Sequence, residues 1–183
     1  MEVLALTEEV RAAREQWHFR GQQRPDFAES TGPGEESVWD FPRPPRLEKV
    51  AQKLRVLAPD DTILAETGSG CRVVETAGAP TYYFPPDDVD TASLVATSGR
   101  SLCEWKGLAQ SYAWQDVDPA AWCYPVTFPE FAAIGGWFAF YPGPLRCFVG
   151  EAQVKPQPGG YYGGWVTAGL RGPIKGGPGT GHW

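Results

Sequence analysis

Residues 53–84, KLRVLAPDDTILAETGSGCRVVETAGAPTYYF, decide the fold. Two short runs rich in Leu, Ile and Val, Lys53–Ala58 and Thr62–Thr67, flank Pro59-Asp60-Asp61, whose residue types favour a turn. That pattern predicts a hairpin. Cys71–Thr76 and Thr81–Phe84 then read as two further strands either side of Gly78. Runs this short, separated by turn residues, predict antiparallel β structure rather than helices, which need longer stretches at a 3.6-residue period.

Composition extends that reading to the whole chain. Eight Trp, seven Tyr and nine Phe in 183 residues favour strands and supply large apolar surfaces for one core. The 22 Gly and 18 Pro fit many short strands joined by turns. Strands are expected at Leu102–Trp114, around Trp122–Tyr124, at Trp137–Tyr141 and at Leu145–Val149, with a helical turn at Pro129–Ile134 and a short helix or turn from Pro85. The fold class expected is therefore mainly β, a two-sheet or barrel-like single domain over residues 35–183. Before it, residues 1–34 are expected to hold a helix and a linker. Thr7 is the expected N-cap of a helix over 7–20, with Glu8 and Glu9 in its first turn, Val10, Ala13 and Trp17 on one face and Gly21 at its end. The three prolines of Ser37–Arg46 predict an extended, packed segment.

Charge narrows the partners. A net charge of −6 with no basic patch argues against nucleic acid and against an anionic membrane surface. MEVLALTEEV lacks the cationic start and apolar run of a secretory leader, and no apolar stretch is long enough to span a bilayer. A cytoplasmic protein with reduced thiols is expected, its cysteines (Cys71, Cys103, Cys123, Cys147) lying far apart.

Several chemistries can be set aside. GPIKGGPGTG around Lys175 lacks P-loop spacing and reads as tight turns. No two Cys or His residues stand two to four apart, so neither a metal nor another cofactor is expected. Only His18 and His182 are available to a triad, and both lie near the ends. What remains is Glu75 with the run Cys103-Glu104-Trp105-Lys106-Gly107. In a regular strand Glu104 and Lys106 share one face and Cys103, Trp105 and Gly107 the other, which separates Cys103 from Lys106 unless a bulge intervenes at Gly107. Glu75, on the face of Val73, and Lys106 are the candidate proton carriers; the competing reading is an ion pair between strands. Tyr82, Tyr83, Cys103, Trp105, Tyr112, Trp122, Tyr124 and Trp165 are the candidate ligand contacts, with Tyr161 and Tyr162 as further aromatic walls. Plain core packing is the alternative for this set.

The runs SVWDFPRPP (37–45), VVETAGAPTYYFPPDDV (73–89), CEWKGLAQSY (103–112), AAWCYP (120–125), WFAFYP (137–142), VKPQPGGYYGGWVT (154–167) and GPIKGGPGT (172–180) occur in this order. Together they resemble domain-of-unknown-function family number 427 of bacteria and fungi, catalogued as nucleotidyltransferase-like, over about residues 35–183. The resemblance implies a β-tent or Mss4-like fold whose two sheets enclose a cavity. Relatives of that fold hold zinc through two Cys-x-x-Cys pairs. This sequence has neither pair, so the metal does not carry over. Three functions are compatible with these residues: a small-molecule-binding β domain, a metal-independent enzyme doing acid/base or lyase-type chemistry in the same cavity, and a module that forms a homodimer through its N-terminal helix and Pro-rich segment.

Overall fold

The computed structural model describes residues 3–183. Helix α1 spans Glu8–Glu15, and the Thr7 hydroxyl accepts from the Val10 amide at 3.4 Å as its N-cap. It stops well short of the expected end at Arg20. The Arg20 guanidinium donates to the carbonyls of Arg14 and Glu15, satisfying the groups that a further turn would have bonded. Trp17 therefore lies beyond the helix.

The strands begin with β1 (Glu36–Ser37), β2 (Arg46–Lys49), β3 (Leu54–Leu57), β4 (Ile63–Thr67), β5 (Cys71–Val74) and β6 (Thr81–Tyr83). The longest follow: β7 (Val95–Cys103), β8 (Gly107–Trp114) and β9 (Val117–Thr127). The chain continues through β10 (Phe138–Phe140), β11 (Arg146–Val149), β12 (Ala152–Gln153), β13 (Lys155–Pro156), β14 (Trp165–Val166) and β15 (Leu170–Arg171). The fold is mainly β. Among the described residues the strands form five sheets and no closed barrel. Two sheets have four strands, in the orders β10-β9-β8-β7 and β12-β11-β3-β4; a third runs β2-β5-β6. The pairs β13–β14 and parallel β1–β15 complete the set.

The expected hairpin is β3–β4, antiparallel from Leu54↔Thr67, with Asp61 of its turn at positive φ. Its strands pack against Phe84, Phe140 and Trp165 in the larger core, where the Trp165 indole donates to the Phe140 carbonyl at 3.0 Å. The third sheet joins the first through mutual backbone hydrogen bonds between Phe84 and Phe138. A second core, containing Val73, Tyr83, Trp105, Trp122 and Tyr124, lies between them.

One expectation fails here. Leu102–Trp114 is not a single strand: β7 turns into β8 through Glu104-Trp105-Lys106, and Cys103 faces Gly107 across the hairpin. The turn closes because Gly107 has φ +133, which an L side chain rarely adopts. Strand alternation consequently does not separate Cys103 from Lys106. The first part of β7 was also not foreseen, because AlaThrSerGlyArgSer over 96–101 shows neither apolar alternation nor β-branched enrichment. Between Ala96 and Arg100 its register slips by a bulge, and the Gln110 side-chain amide donates to the carbonyls of Thr97 at 2.7 Å and Gly99 at 3.3 Å.

A Cβ at residue 107 would meet the Val126 carbonyl oxygen at 2.3 Å. Gly107→Ala is therefore expected to cost about 3 kcal/mol, through backbone strain and the clash together. Urea unfolding followed by tryptophan fluorescence measures it.

Candidate functional site

The β7–β8 turn, β5 with the residues after it, β6 and β9 surround a pocket of about 720 Å³. Of the side chains singled out from sequence, Glu75, Tyr83, Cys103, Lys106, Trp122 and Tyr124 line it. The turn delivers Cys103 and Lys106 together. Val73 and Glu75 enter from β5 and the residue following it, as expected from their shared face. Tyr161 and Tyr162 lie at the wall too.

Four of the expected contacts are elsewhere. Tyr82 stacks on Trp165 at 4.9 Å in the larger core. Tyr112 packs edge-on against Phe138 and accepts from the Cys123 thiol at 3.6 Å. Trp105 is buried under the Arg14 guanidinium, 5.0 Å from its ring. For these four, core packing is the observed role.

Among the wall residues that were not foreseen are Trp17, Arg43 and Lys175. The buried Arg43 guanidinium donates to Glu75 Oε1 at 3.0 Å and to the carbonyls of Phe19, Thr76 and Trp183. It also lies 4.4 Å from the centre of the Trp17 ring, and Lys175 Nζ lies 3.8 Å from the same ring. The Trp17 indole donates to Glu104 Oε1 at 2.9 Å. Glu75 does form an ion pair between elements, but its partner is Arg43 and not Lys106.

Lys106 differs from these cations. It is half-buried, and among the described residues no hydrogen bond or ion pair engages its ammonium. Desolvation works against its charge, but Cys103, then Tyr124, Tyr83 and Glu75, outweigh it and hold the amine well above the ordinary lysine value. The fully buried Tyr83 hydroxyl likewise donates to no acceptor among the described residues, although the Trp122 indole lies close enough to its oxygen to oppose the rise in its pKa. Burial raises that phenol, and Lys106 pulls against the rise. The pocket thus holds two donors, an ammonium and a phenol, that no acceptor among the described residues engages.

Among the described residues, no group of three or more His, Cys, Asp or Glu side chains is placed to hold a metal ion. None of the helices among them is long and apolar enough to cross a membrane.

This geometry defines a mainly-β domain with a pocket lined by aromatic and charged side chains. The family model for domain of unknown function DUF427, labelled NTP_transf_9, matches residues 46–151, and the chain belongs to that family. No curated protein matches it. The matched stretch carries Glu75, Tyr83, Cys103, Lys106, Trp122 and Tyr124, whereas Trp17, Arg43 and Lys175 fall outside it.

Lys175 offers a measurable signature. Burial, reinforced by Arg43 and Lys106 and opposed by Glu75 and Glu104, lowers its pKa from 10.5 to about 8. The unfolded chain keeps this proton to higher pH than the folded one, so the lysine's contribution to stability rises as pH climbs from about 8 to 10.5. Comparison with Lys175→Met cancels the titration of thiols and phenols elsewhere. The stability of the native protein relative to this variant is expected to rise by about 3 kcal/mol across that window, in urea titrations at fixed pH.

Proposed function

We propose that this chain is a small-molecule-binding β domain whose pocket takes a compact, largely planar organic ligand bearing a carboxylate or carbonyl oxygen. The observation that carries this reading is the pairing of the unengaged Lys106 ammonium with the orphaned Tyr83 hydroxyl in one aromatic pocket. A buried polar group without a partner costs roughly 1–3 kcal/mol, which a ligand oxygen accepting from both donors would offset. Trp122 and Tyr124 supply flat apolar surface beside them, and a volume of about 720 Å³ suits a small ligand. Glu75 serves as a positioning residue, since its carboxylate is tied to Arg43.

The acid/base reading of the same pocket keeps Lys106 as a proton donor, because its surroundings favour the ammonium. A dimer built through the Pro-rich segment is less well supported, for Val38, Trp39 and Phe41 are buried within the chain.

The anionic aromatic dye 1-anilinonaphthalene-8-sulfonate is a suitable probe. It is expected to bind the native protein with enhanced emission, and Lys106→Met is expected to weaken that binding about tenfold or more, as for a lost charge-assisted hydrogen bond. The melting temperature should be unchanged or higher, since a half-buried charge is removed. Equal binding by both proteins would refute Lys106 as the anchor.

A further inference from the structure

We propose that Cys103 is a nucleophilic site for conjugate addition, so that the pocket takes planar α,β-unsaturated carbonyl compounds and fixes them on its sulfur. The proposal rests on the small-molecule reading of the same pocket and adds a chemical class to it. Cys103 is the cysteine that lines the pocket, and it is partly exposed there. It precedes the three-residue turn that Lys106 ends, with Gly107 directly across the hairpin from it. Cys103 and Lys106 therefore reach the same pocket from the two ends of one hairpin turn.

The second observation is independent of the thiol. Tyr83 is fully buried, borders the pocket and has an unpartnered hydroxyl. An ammonium and a phenol in the same pocket as a sulfur form the donor set that an enolate oxygen requires. The flat walls of Trp122 and Tyr124 fit a conjugated, planar acceptor.

The step balances without a further reactant. The sulfur lone pair forms the S–C bond at the β-carbon, and the C=C π pair moves through the conjugated system to the carbonyl oxygen. Lys106 and Tyr83 donate to that oxygen while it carries the charge. The proton released when the thiolate forms is delivered to the α-carbon as the enolate collapses. The sum is addition of S–H across the double bond, with nothing oxidised or reduced.

The other three cysteines are internal references. Burial pushes the thiols of Cys71, Cys123 and Cys147 up, and none of them lines this pocket.

The test uses limiting N-ethylmaleimide, itself an α,β-unsaturated carbonyl compound, on the full chain, with site-resolved rates from peptide mass mapping. Iodoacetamide, which alkylates by displacement and forms no enolate, runs in parallel. Cys103 is expected to react with the maleimide at least about tenfold faster than Cys71, because only at Cys103 do Lys106 and Tyr83 stand by to donate to the enolate oxygen. Tyr83→Phe is expected to slow the maleimide reaction several-fold to tenfold while leaving iodoacetamide within about twofold, because only the former develops charge on oxygen. Lys106→Met should slow the maleimide reaction by at least as much. Labelling of Cys71 as fast as Cys103, or a Tyr83→Phe effect equal for both reagents, would overturn the proposal. Dye binding separates the two readings: retained binding with an unreactive Cys103 removes the nucleophile but leaves the pocket. Lost binding with a selectively reactive Cys103 does the reverse.

Discussion

The buried guanidinium of Arg43 is the constraint on which the rest of the pocket depends. Its donors meet the Glu75 carboxylate and carbonyls from Phe19, Thr76 and Trp183, which brings together the segment after α1, the segment after β5 and the far end of the chain. A fully buried cation is tolerated only when its donors are satisfied, and a guanidinium offers five in a fixed plane. A lysine here could not reach four separated acceptors. The same planar group provides the face on which Trp17 stacks, so the tryptophan wall of the pocket is held by the charge that holds Glu75.

That arrangement gives three of the four cations lining the pocket different roles. Arg43 is consumed by structure. Lys175 is pinned by its backbone, which donates to Ala77 and accepts from Gln157, and its head group rests on Trp17. Lys106 alone projects from a hairpin turn with its donors unengaged. The distinction between a structural and an available charge therefore comes from hydrogen-bond satisfaction and not from burial alone. Tyr83 and Tyr124 are both buried near Lys106 and, among the described residues, neither hydroxyl has a hydrogen-bond partner, but only that of Tyr83 is also fully shielded from solvent.

Much of the fold was legible because its signals were local. Pro59-Asp60-Asp61 marked the β3–β4 turn, and short apolar runs marked β5, β6, β10 and β11. The site was legible only in part, because it depends on which face of each strand looks inward. Tyr82 and Tyr83 are neighbours in β6, so pleating sends one to the larger core and the other to the pocket. Nothing in the pair itself says which. The hairpin at 103–107 was hidden because no standard turn dipeptide marks it; its one signal was the glycine at 107, which reads equally well as a bulge. Lys175 was hidden by its surroundings, since a Gly-Pro-rich tail gives no periodicity from which to infer a wall position. Trp17 sat on an expected helical face but is placed by Arg43, a contact that local periodicity cannot show because the two lie far apart in the sequence.

The bulged start of β7 has a consequence for the molecule's surface. β7 lies at the edge of its sheet, is largely exposed, and at nine residues is long enough to offer another chain a row of free backbone groups. The register slip between Ala96 and Arg100 breaks that row, and Gln110 from the neighbouring strand ties down the Thr97 and Gly99 carbonyls within it. Arg100 adds a charge on the same stretch. The small polar residues that concealed this strand in the sequence thus also make it a poor template for growth by strand addition.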